Sequence, residues 1–410
     1  MRLIKSIPKN KDIRDGEIFE IISSKSKYTH SFFKYPARFI PEIPNWFLRN
    51  FTKEGDNILD CFCGSGTSLV EASLLNRVPL GIDFDPFSQL LTIAKTTQLS
   101  KRDISYIKKN YPSLMKENSS SKPPKINNLD HWFQKDNIKR LSNLIANIQT
   151  AKFPNIRIKN FYLITFAAII RGSSLADDVS PKPYISSKIK KIPKNSFQLF
   201  EKEIHKNLDA YKDESLTSPY VAKIIGNDAR SKIEHNKKIN HVVTSPPYIN
   251  AFDYVRVLRL ENIWLGHFED SEIPNHKKSQ IGNEVISSIK YKIRPSKINI
   301  KVLDSKINSI YKVDKKRAHI VLNYFVDMKQ NFKEIYSSLR KGGHFCIVVG
   351  DCSIREINIE THKFFILMLK QIGFKKVKHF SYKIKNQYLR IPRNGMGGII
   401  KSDHVIVVKK

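Results

Sequence analysis

The chain has few acids, few cysteines and no long apolar run. Against 71 Lys and Arg stand only 38 Asp and Glu, a formal net charge of +33 over 410 residues. That deficit works against acidic and small cationic partners and favours a polyanion, with nucleic acid the leading one. A Lys-, Ile- and Asn-rich composition of the kind an AT-rich genome encodes, as in "KKIPKN", accounts for part of the excess. The four cysteines, Cys61, Cys63, Cys346 and Cys352, supply neither a disulfide framework nor paired C-x-x-C zinc spacing, and they fit a reducing cytoplasm. No window approaches the roughly 18–20 uninterrupted apolar residues that a membrane span requires, so no membrane partner is expected. The basic opening "MRLIKSIPKNKDIRDGE" has no apolar run of the kind a secretory signal needs. Hydrophobic residues nevertheless make up 40% of the chain, enough for a sizeable core.

What is present begins with a β–loop–α–β–α pattern. "NILDCFC" (57–63) reads as a strand, "GSGT" as a turn, "SLVEASLLNR" as a helix, "VPLGIDFD" (78–85) as a second strand and "PFSQLLTIAKTT" as a second helix. From about 128 to 215 the pattern turns helical, and "SSSKPPK" before it is a loop. Sheet character resumes at "YVAKIIGNDAR" (220–230) and "INHVVTSPPY" (239–248). The apolar spacing of 321–343 predicts a long helix stopped by Gly342-Gly343, followed by a buried strand "HFCIVVGD", a helix "THKFFILMLKQIGF" and closing strands "KVKHFSYKI" and "HVIVVKK". The expected fold is α/β, a doubly wound parallel sheet interrupted by a helical insertion and a second, basic insertion that contains "IKYKIRPSKINIK". That second insertion reads either as a solvated loop or as a surface that tracks phosphates.

Four constellations carry chemistry. In "LDCFCGSGT" a strand ends in Asp60 and turns through Gly64-Ser65-Gly66, which lets backbone approach a ligand closely. Leu69 breaks the dinucleotide fingerprint, and there is no Gly-Lys-Ser/Thr of a phosphate loop, so the pocket is not built for a pyrophosphate. Asp83, ending the next strand, reads as a ribose ligand or as a helix N-cap; Asp85, just before Pro86, is the better cap and leaves Asp83 free. Asp228, after a third strand, reads as an acceptor for an adenine amino group or as an Asx-turn. Acids and a glycine turn at three successive strand ends line a single crevice.

The fourth is "TSPPY". An exocyclic amine on a nucleobase is a poor nucleophile, because its lone pair is delocalised into the ring. Acceptors that grip its hydrogens localise that pair. Ser245 Oγ and the carbonyl of Pro246 are such acceptors, Pro246 and Pro247 stiffen their direction, and Tyr248 presents a ring for stacking on an extruded base. The alternative is an ordinary Ser-Pro turn beside a core tyrosine. The following "INAFDYVRVLRLENIWLGH", if helical, clusters Tyr254, Leu258, Leu260 and Trp264 and reads as a packed helix or as a wall of the base pocket.

Together "LDCFCGSGT", "GIDFD" and "TSPPY" resemble the amino-methyltransferases of DNA, which use S-adenosyl-L-methionine to methylate cytosine N4 or adenine N6. "THSFFKYPARFIPEIP" (29–44) is similar to the segment that closes over the methionine end of the cofactor in that family, with Lys34, Tyr35 and Pro36 at matching positions. The resemblance implies a Rossmann-like class I methyltransferase sheet. It also implies cofactor contacts from Asp60, Phe62, Gly64, Ser65, Gly66 and Thr67 at the methionine part, Asp83 at the ribose and Asp228 at the adenine. Ser245, Pro246, Pro247 and Tyr248 form its catalytic turn. Lys34 and Arg38 read either as partners of the cofactor carboxylate or as surface charge, and His30 as a capped surface histidine. Ser at the first position of the tetrapeptide favours cytosine N4, with adenine N6 as the rival and an RNA base as a more distant one. Double-stranded DNA is the implied partner and a restriction–modification system with a cognate restriction endonuclease the implied setting. The transfer asks for no metal and no covalent intermediate; a C5-type cysteine nucleophile is excluded because the chain has no Pro-Cys. Two departures stand out: Cys61-Phe62-Cys63 replaces the usual Pro-Phe-small start of the loop, and a long insertion separates Asp83 from Asp228. The resulting division is 1–97, 219–254 and 319–410 for the methyltransferase domain, with 98–218 as the helical insertion and 255–318 as the basic one.

Overall fold

A computed structural model describes residues 2–4, 6–22, 28–36, 38–118, 120–188, 190–212, 218–236, 238–249, 253–383 and 402–410. Its strands are β1 (Arg2–Ile4), β2 (Glu17–Ile21), β3 (Asn57–Asp60), β4 (Val78–Ile82), β5 (Lys223–Gly226), β6 (His241–Thr244), β7 (His344–Gly350), β8 (Cys352–Ile354), β9 (Ile357–Ile359), β10 (Lys375–Lys383) and β11 (Ser402–Lys409). Among the described residues, nine of them form one sheet in the order β1-β2-β10-β11-β7-β6-β3-β4-β5, and β8 pairs with β9 as a separate hairpin. Among the described residues, only β11 runs antiparallel to its neighbours in the large sheet.

The strand order explains where a site can form. From β3 the chain moves outward to β4 and β5, then returns to the other side of β3 with β6 and β7. The switch point therefore lies between β3 and β6, where the carboxyl ends of those two strands, Asp60 and Thr244, meet and where open α/β sheets place their ligands. The central strands are fully buried, and their apolar pairs Ile58-Leu59 and Val242-Val243 place one side chain on each face of a sheet covered on both sides. Alternation sends Val242, Phe345, Ile347 and Val349 to one face, where they meet Met328, Phe332 and Phe365 from the helices Lys315–Ser338 and Thr361–Ile372. Val243, Cys346 and Val348 face the other way, against Trp46 and Phe47 of the helix Glu42–Phe51. Truncating a fully buried ring such as Phe332 to Ala costs about 3–5 kcal/mol.

Residues 98–218 contribute the helices Lys101–Leu114, Lys135–Thr150, Ile156–Ser173 and Ser196–Asp209, which bury Leu141, Tyr162, Phe166 and Phe200. The same cluster takes in Phe87 and Leu91 from the helix Pro86–Thr96, and Leu260 and Trp264 from just beyond the Ser245–Tyr248 turn. Two short helices, Tyr254–Val257 and Arg259–Trp264, carry the latter segment, and Trp264 packs edge-on to Phe133 and Phe166. This matches the packed-helix reading of 254–264. Asn250–Phe252, part of the same quoted stretch, lie outside the described residues, as do 384–401 within the closing part of the chain.

Two boundaries differ from expectation. The long helix runs Lys315–Ser338: Asp314 caps its start by accepting from the Arg317 amide at 3.0 Å, and Leu339 leaves it to bridge to Ile239, before the glycines are reached. The sequence reading has no strand ahead of Asn57, whereas β1 and β2 extend the sheet beyond β10. "EIFEI" does alternate, burying Phe19 and Ile21, but a single five-residue alternation without a hairpin partner is a weak signal.

Candidate active site

The glycine loop joins β3 to the helix Thr67–Leu74. Asp60 is buried at the strand end, where Oδ1 accepts from the Phe62 amide at 3.0 Å and from the Thr244 hydroxyl. That second bond ties β3 to β6 across the switch point. Burial raises the Asp60 carboxyl to about 6. Gly64 and Gly66 both hold positive φ, +45° and +73°. At Gly66 a Cβ would stand 2.9 Å from Thr92 Oγ1, so both the turn and the close approach of the helix Pro86–Thr96 require glycine there. Ser65 Oγ and Thr67 Oγ1 are hydrogen-bonded at 3.0 Å. Beneath them the buried Lys95 ammonium donates to the Ser65 carbonyl at 2.6 Å, and burial lowers its pKa to about 7. Nothing in the local pattern of "LTIAKTT" flags Lys95 as a support of the loop.

Asp83 follows β4. Its Oδ2 accepts from the Gly64 amide at 2.7 Å and its Oδ1 from the Asp85 amide at 3.0 Å. Among the described residues no cation pairs with it, and burial together with the nearby Asp85 carboxylate pushes its pKa up to about 7. A carboxylate so placed has acceptor capacity left over and lacks donors. Asp85 caps the helix Pro86–Thr96 by accepting from the Ser88 amide at 2.8 Å, as its position before Pro86 suggests. Asp228 lies just past β5. It forms the Asx-turn, accepting from the Arg230 amide at 2.9 Å, and it also takes the Arg230 guanidinium on both oxygens at 2.9 and 3.0 Å. The arginine clamp has no sequence signature.

From the amino-terminal segment, Tyr35 packs under the glycine loop. Its hydroxyl is 3.0 Å from Ser88 Oγ and its ring stacks on Tyr254 at 6.3 Å between centroids. Pro36 is buried beside it. Lys34 is exposed and donates to the backbone carbonyl of Asp178, in the helical insertion, at 3.1 Å. His30 is no surface histidine: it is 2% exposed, with Nε2 2.8 Å from Glu71 Oε1. Arg38 donates to the His30 carbonyl at 2.7 Å.

The Ser-Pro-Pro-Tyr turn leaves β6 at Thr244. The Ser245 hydroxyl donates to the Val348 carbonyl on β7 at 3.2 Å, so its lone pairs remain as acceptors. Pro246 is buried and Pro247 half-buried. The Tyr248 hydroxyl reaches across the sheet to Asp403 on β11, whose other oxygen accepts from Tyr382 on β10. The structure thus brings Asp60, Phe62, the glycine loop, Asp83 and the Ser245–Tyr248 turn to adjacent strand ends, with Tyr35 and Pro36 beside the loop and Asp228 one strand further out.

The profile of the DNA methylase family N6_N4_Mtase matches residues 3–95. The type II methyltransferase M.MvaI of Kocuria varians is 26% identical over 420 residues, which cover 95% of this chain and 92% of that protein. M.BsoBI of Geobacillus stearothermophilus, also a type II methyltransferase, is 21% identical over 88% of this chain and 81% of its own. Among solved structures, the rRNA methyltransferase aviRa of Streptomyces viridochromogenes aligns over 92% of this chain and 89% of its own, at 10% identity and a TM-score of 0.31.

Proposed function

Since this chain belongs to the DNA amino-methyltransferases that use S-adenosyl-L-methionine, we propose that it methylates the N4 amine of a cytosine at a specific site in duplex DNA. The observation that carries this reading is the state of Ser245. Its hydroxyl proton is given to the Val348 carbonyl, which leaves the oxygen lone pairs available to accept. An acceptor, rather than a base or a nucleophile, is what a delocalised amine needs. Serine in this position also supports cytosine over adenine.

The residues fit the cofactor. Asp83 is a buried carboxylate short of donors, which a ribose diol supplies, and the backbone of Gly64–Thr67 lies beside it. Asp60, Phe62, Tyr35, Pro36 and Lys34 are assigned to the methionine part and Asp228, oriented by Arg230, to the adenine. When bound, S-adenosyl-L-methionine supplies a methyl group on a positively charged sulfur. Ser245 Oγ and the Pro246 carbonyl hold the amine hydrogens and turn the nitrogen lone pair towards that methyl. Tyr248 stacks on the extruded base and keeps its ring plane fixed. These contacts would present the amine to the methyl group that the cofactor supplies, and the surplus amine proton would pass to solvent.

The net charge of +33 supports a polyanionic substrate, and affinity for DNA should fall steeply with added salt. The relatives' description as type II methyltransferases supports a restriction–modification setting in the cytoplasm, with a cognate endonuclease acting on the same site. Incubating the protein with unmethylated duplex DNA and labelled cofactor, followed by nucleoside analysis, tests the reading. N4-methylcytosine is the expected product. N6-methyladenine alone would overturn the base assignment, and methyl acceptance by tRNA without acceptance by duplex DNA would overturn the substrate.

A further inference from the structure

Four side chains that the methyl transfer does not use gather at the carboxyl end of β7, one strand beyond the catalytic turn. Asp351 directly follows β7, His362 lies in the first turn of the helix Thr361–Ile372, and His379 and His404 stand on β10 and β11. His362 Nδ1 is 2.8 and 2.9 Å from the two Asp351 oxygens, and His404 Nε2 is 3.5 Å from Oδ2. The rings of His362 and His404 lie parallel at 5°, with centroids 3.7 Å apart. His379 stacks at 5.3 Å from the first and 5.4 Å from the second, and its Nε2 is 3.1 Å from His404 Nδ1.

The carboxylate decides what the other nitrogens do. With the proton of His362 on Nδ1 and that of His404 on Nε2, both facing Asp351, the lone pairs fall on His362 Nε2 and His404 Nδ1. His379 adds a third nitrogen, and one nitrogen from each ring lies within 4.8 Å of the other two. Across 3.1 Å one proton serves both His379 Nε2 and His404 Nδ1. A carboxylate behind histidines whose opposite nitrogens converge is the outer-shell arrangement that orients imidazoles towards a metal.

We propose that His362, His379 and His404, oriented by Asp351, bind one divalent transition-metal ion of the zinc class. An all-imidazole donor set suits Zn2+, Co2+ or Ni2+ and disfavours Mg2+ and Ca2+, which prefer oxygen. Zinc–nitrogen bonds of about 2.0–2.1 Å in a tetrahedral shell set the ligand nitrogens about 3.3 Å apart, and because each lone pair lies in its ring plane, the parallel rings of His362 and His404 turn out of their stack to face one ion. His379 and His404 are only half-buried, which leaves an entry path and a fourth position for water. The ion takes no part in methyl transfer. It pins β10 and β11 to the end of β7, and the residue beside His404 on β11 is Asp403, the carboxylate that holds Tyr248.

The probe is Co2+, added to the full chain after dialysis against a chelator. A visible d–d spectrum of a four- or five-coordinate complex should saturate at one equivalent and be bleached by Zn2+ but not by Mg2+. His379→Gln and His404→Gln should each abolish it, and the exposed His131→Gln should leave it unchanged. Asp351→Asn should weaken binding about 10–100-fold while keeping all three imidazoles. Each variant is checked for S-adenosyl-L-methionine binding, so a misfolded protein is recognised as such. No spectrum with the parent protein, or one that persists in His379→Gln, would overturn the proposal. The readout is independent of the base methylated and of whether methylation occurs.

Discussion

The Tyr248 hydroxyl donates to Asp403 Oδ1 at 2.7 Å, a bond between residues 155 apart in the chain. The second oxygen of Asp403 accepts from Tyr382 at 2.9 Å, so one buried carboxylate fixes the ring at the end of the Ser-Pro-Pro-Tyr turn and ties it to β10 and β11. Two prolines set the direction in which the turn leaves β6, and Asp403 sets the angle of the ring.

This separates two contributions of Tyr248. Tyr248→Phe keeps the stacking surface and loses one hydrogen bond, a loss of about 0.5–1.5 kcal/mol, or roughly 2–12-fold in single-turnover rate. Tyr248→Ala loses stacking as well, a further ~1–3 kcal/mol. Asp403→Ala should act on stability more than on cofactor binding, because it leaves two tyrosine hydroxyls without their acceptor, at about 1–3 kcal/mol for each that stays buried. Thermal unfolding beside single-turnover assays separates the cases.

Ser245→Ala removes an acceptor and little volume. The expected loss in methyl-transfer rate is about 10²-fold, with S-adenosyl-L-methionine and DNA affinities near those of the parent. Full activity in this variant would show that the Ser-Pro-Pro-Tyr turn does not grip the amine.

Burial and Asp85 push Asp83 up to about 7, from an ordinary 3.8. A ribose diol donates to the ionised carboxylate, so cofactor affinity should weaken as pH falls through about 7, by up to about tenfold per unit. The ligand-free protein has the opposite trend. Because the folded state holds this proton more tightly than the unfolded chain, the Asp83 contribution to stability declines as pH rises from 3.8 to about 7. Asp83→Asn should lower affinity and flatten its pH profile, as read by equilibrium binding between about pH 6 and about pH 8.

Gly66→Ala and Gly55→Ala differ in one respect. Both residues have positive φ, +73° and +77°, but a Cβ at Gly55 meets nothing within 4 Å, whereas one at Gly66 lies 2.9 Å from Thr92 Oγ1 and 3.0 Å from Thr92 Cα. Gly55→Ala should cost about 1–2 kcal/mol of backbone strain. Gly66→Ala should cost a further ~1–3 kcal/mol from overpacking and should also impair cofactor binding. Chemical denaturation of the two variants gives the difference, and equal losses would mean that the helix Pro86–Thr96 yields at no cost.

The sequence by itself determined the features whose physics is local. Short apolar-leaning segments marked β3, β6 and β7, each ending at a turn or an acid. Glycines marked the turn after Asp60, and the cap at Asp85 was legible from the proline that follows it. The stiffness of Ser245–Tyr248 was likewise written in two consecutive prolines. Tertiary structure alone decided what stands opposite these residues. Arg230 on Asp228 is close in the chain but has no motif, and Lys95 reaches Ser65 from the next helix. Asp403 reaches Tyr248 only because β11 inserts antiparallel between β7 and β10, and the same insertion brings His404 to His362 and His379. Periodicity and turn chemistry report a residue's own neighbours along the chain. A hydrogen bond across a sheet depends on strand order, which is set by the packing of the whole core and leaves no fixed spacing in the sequence.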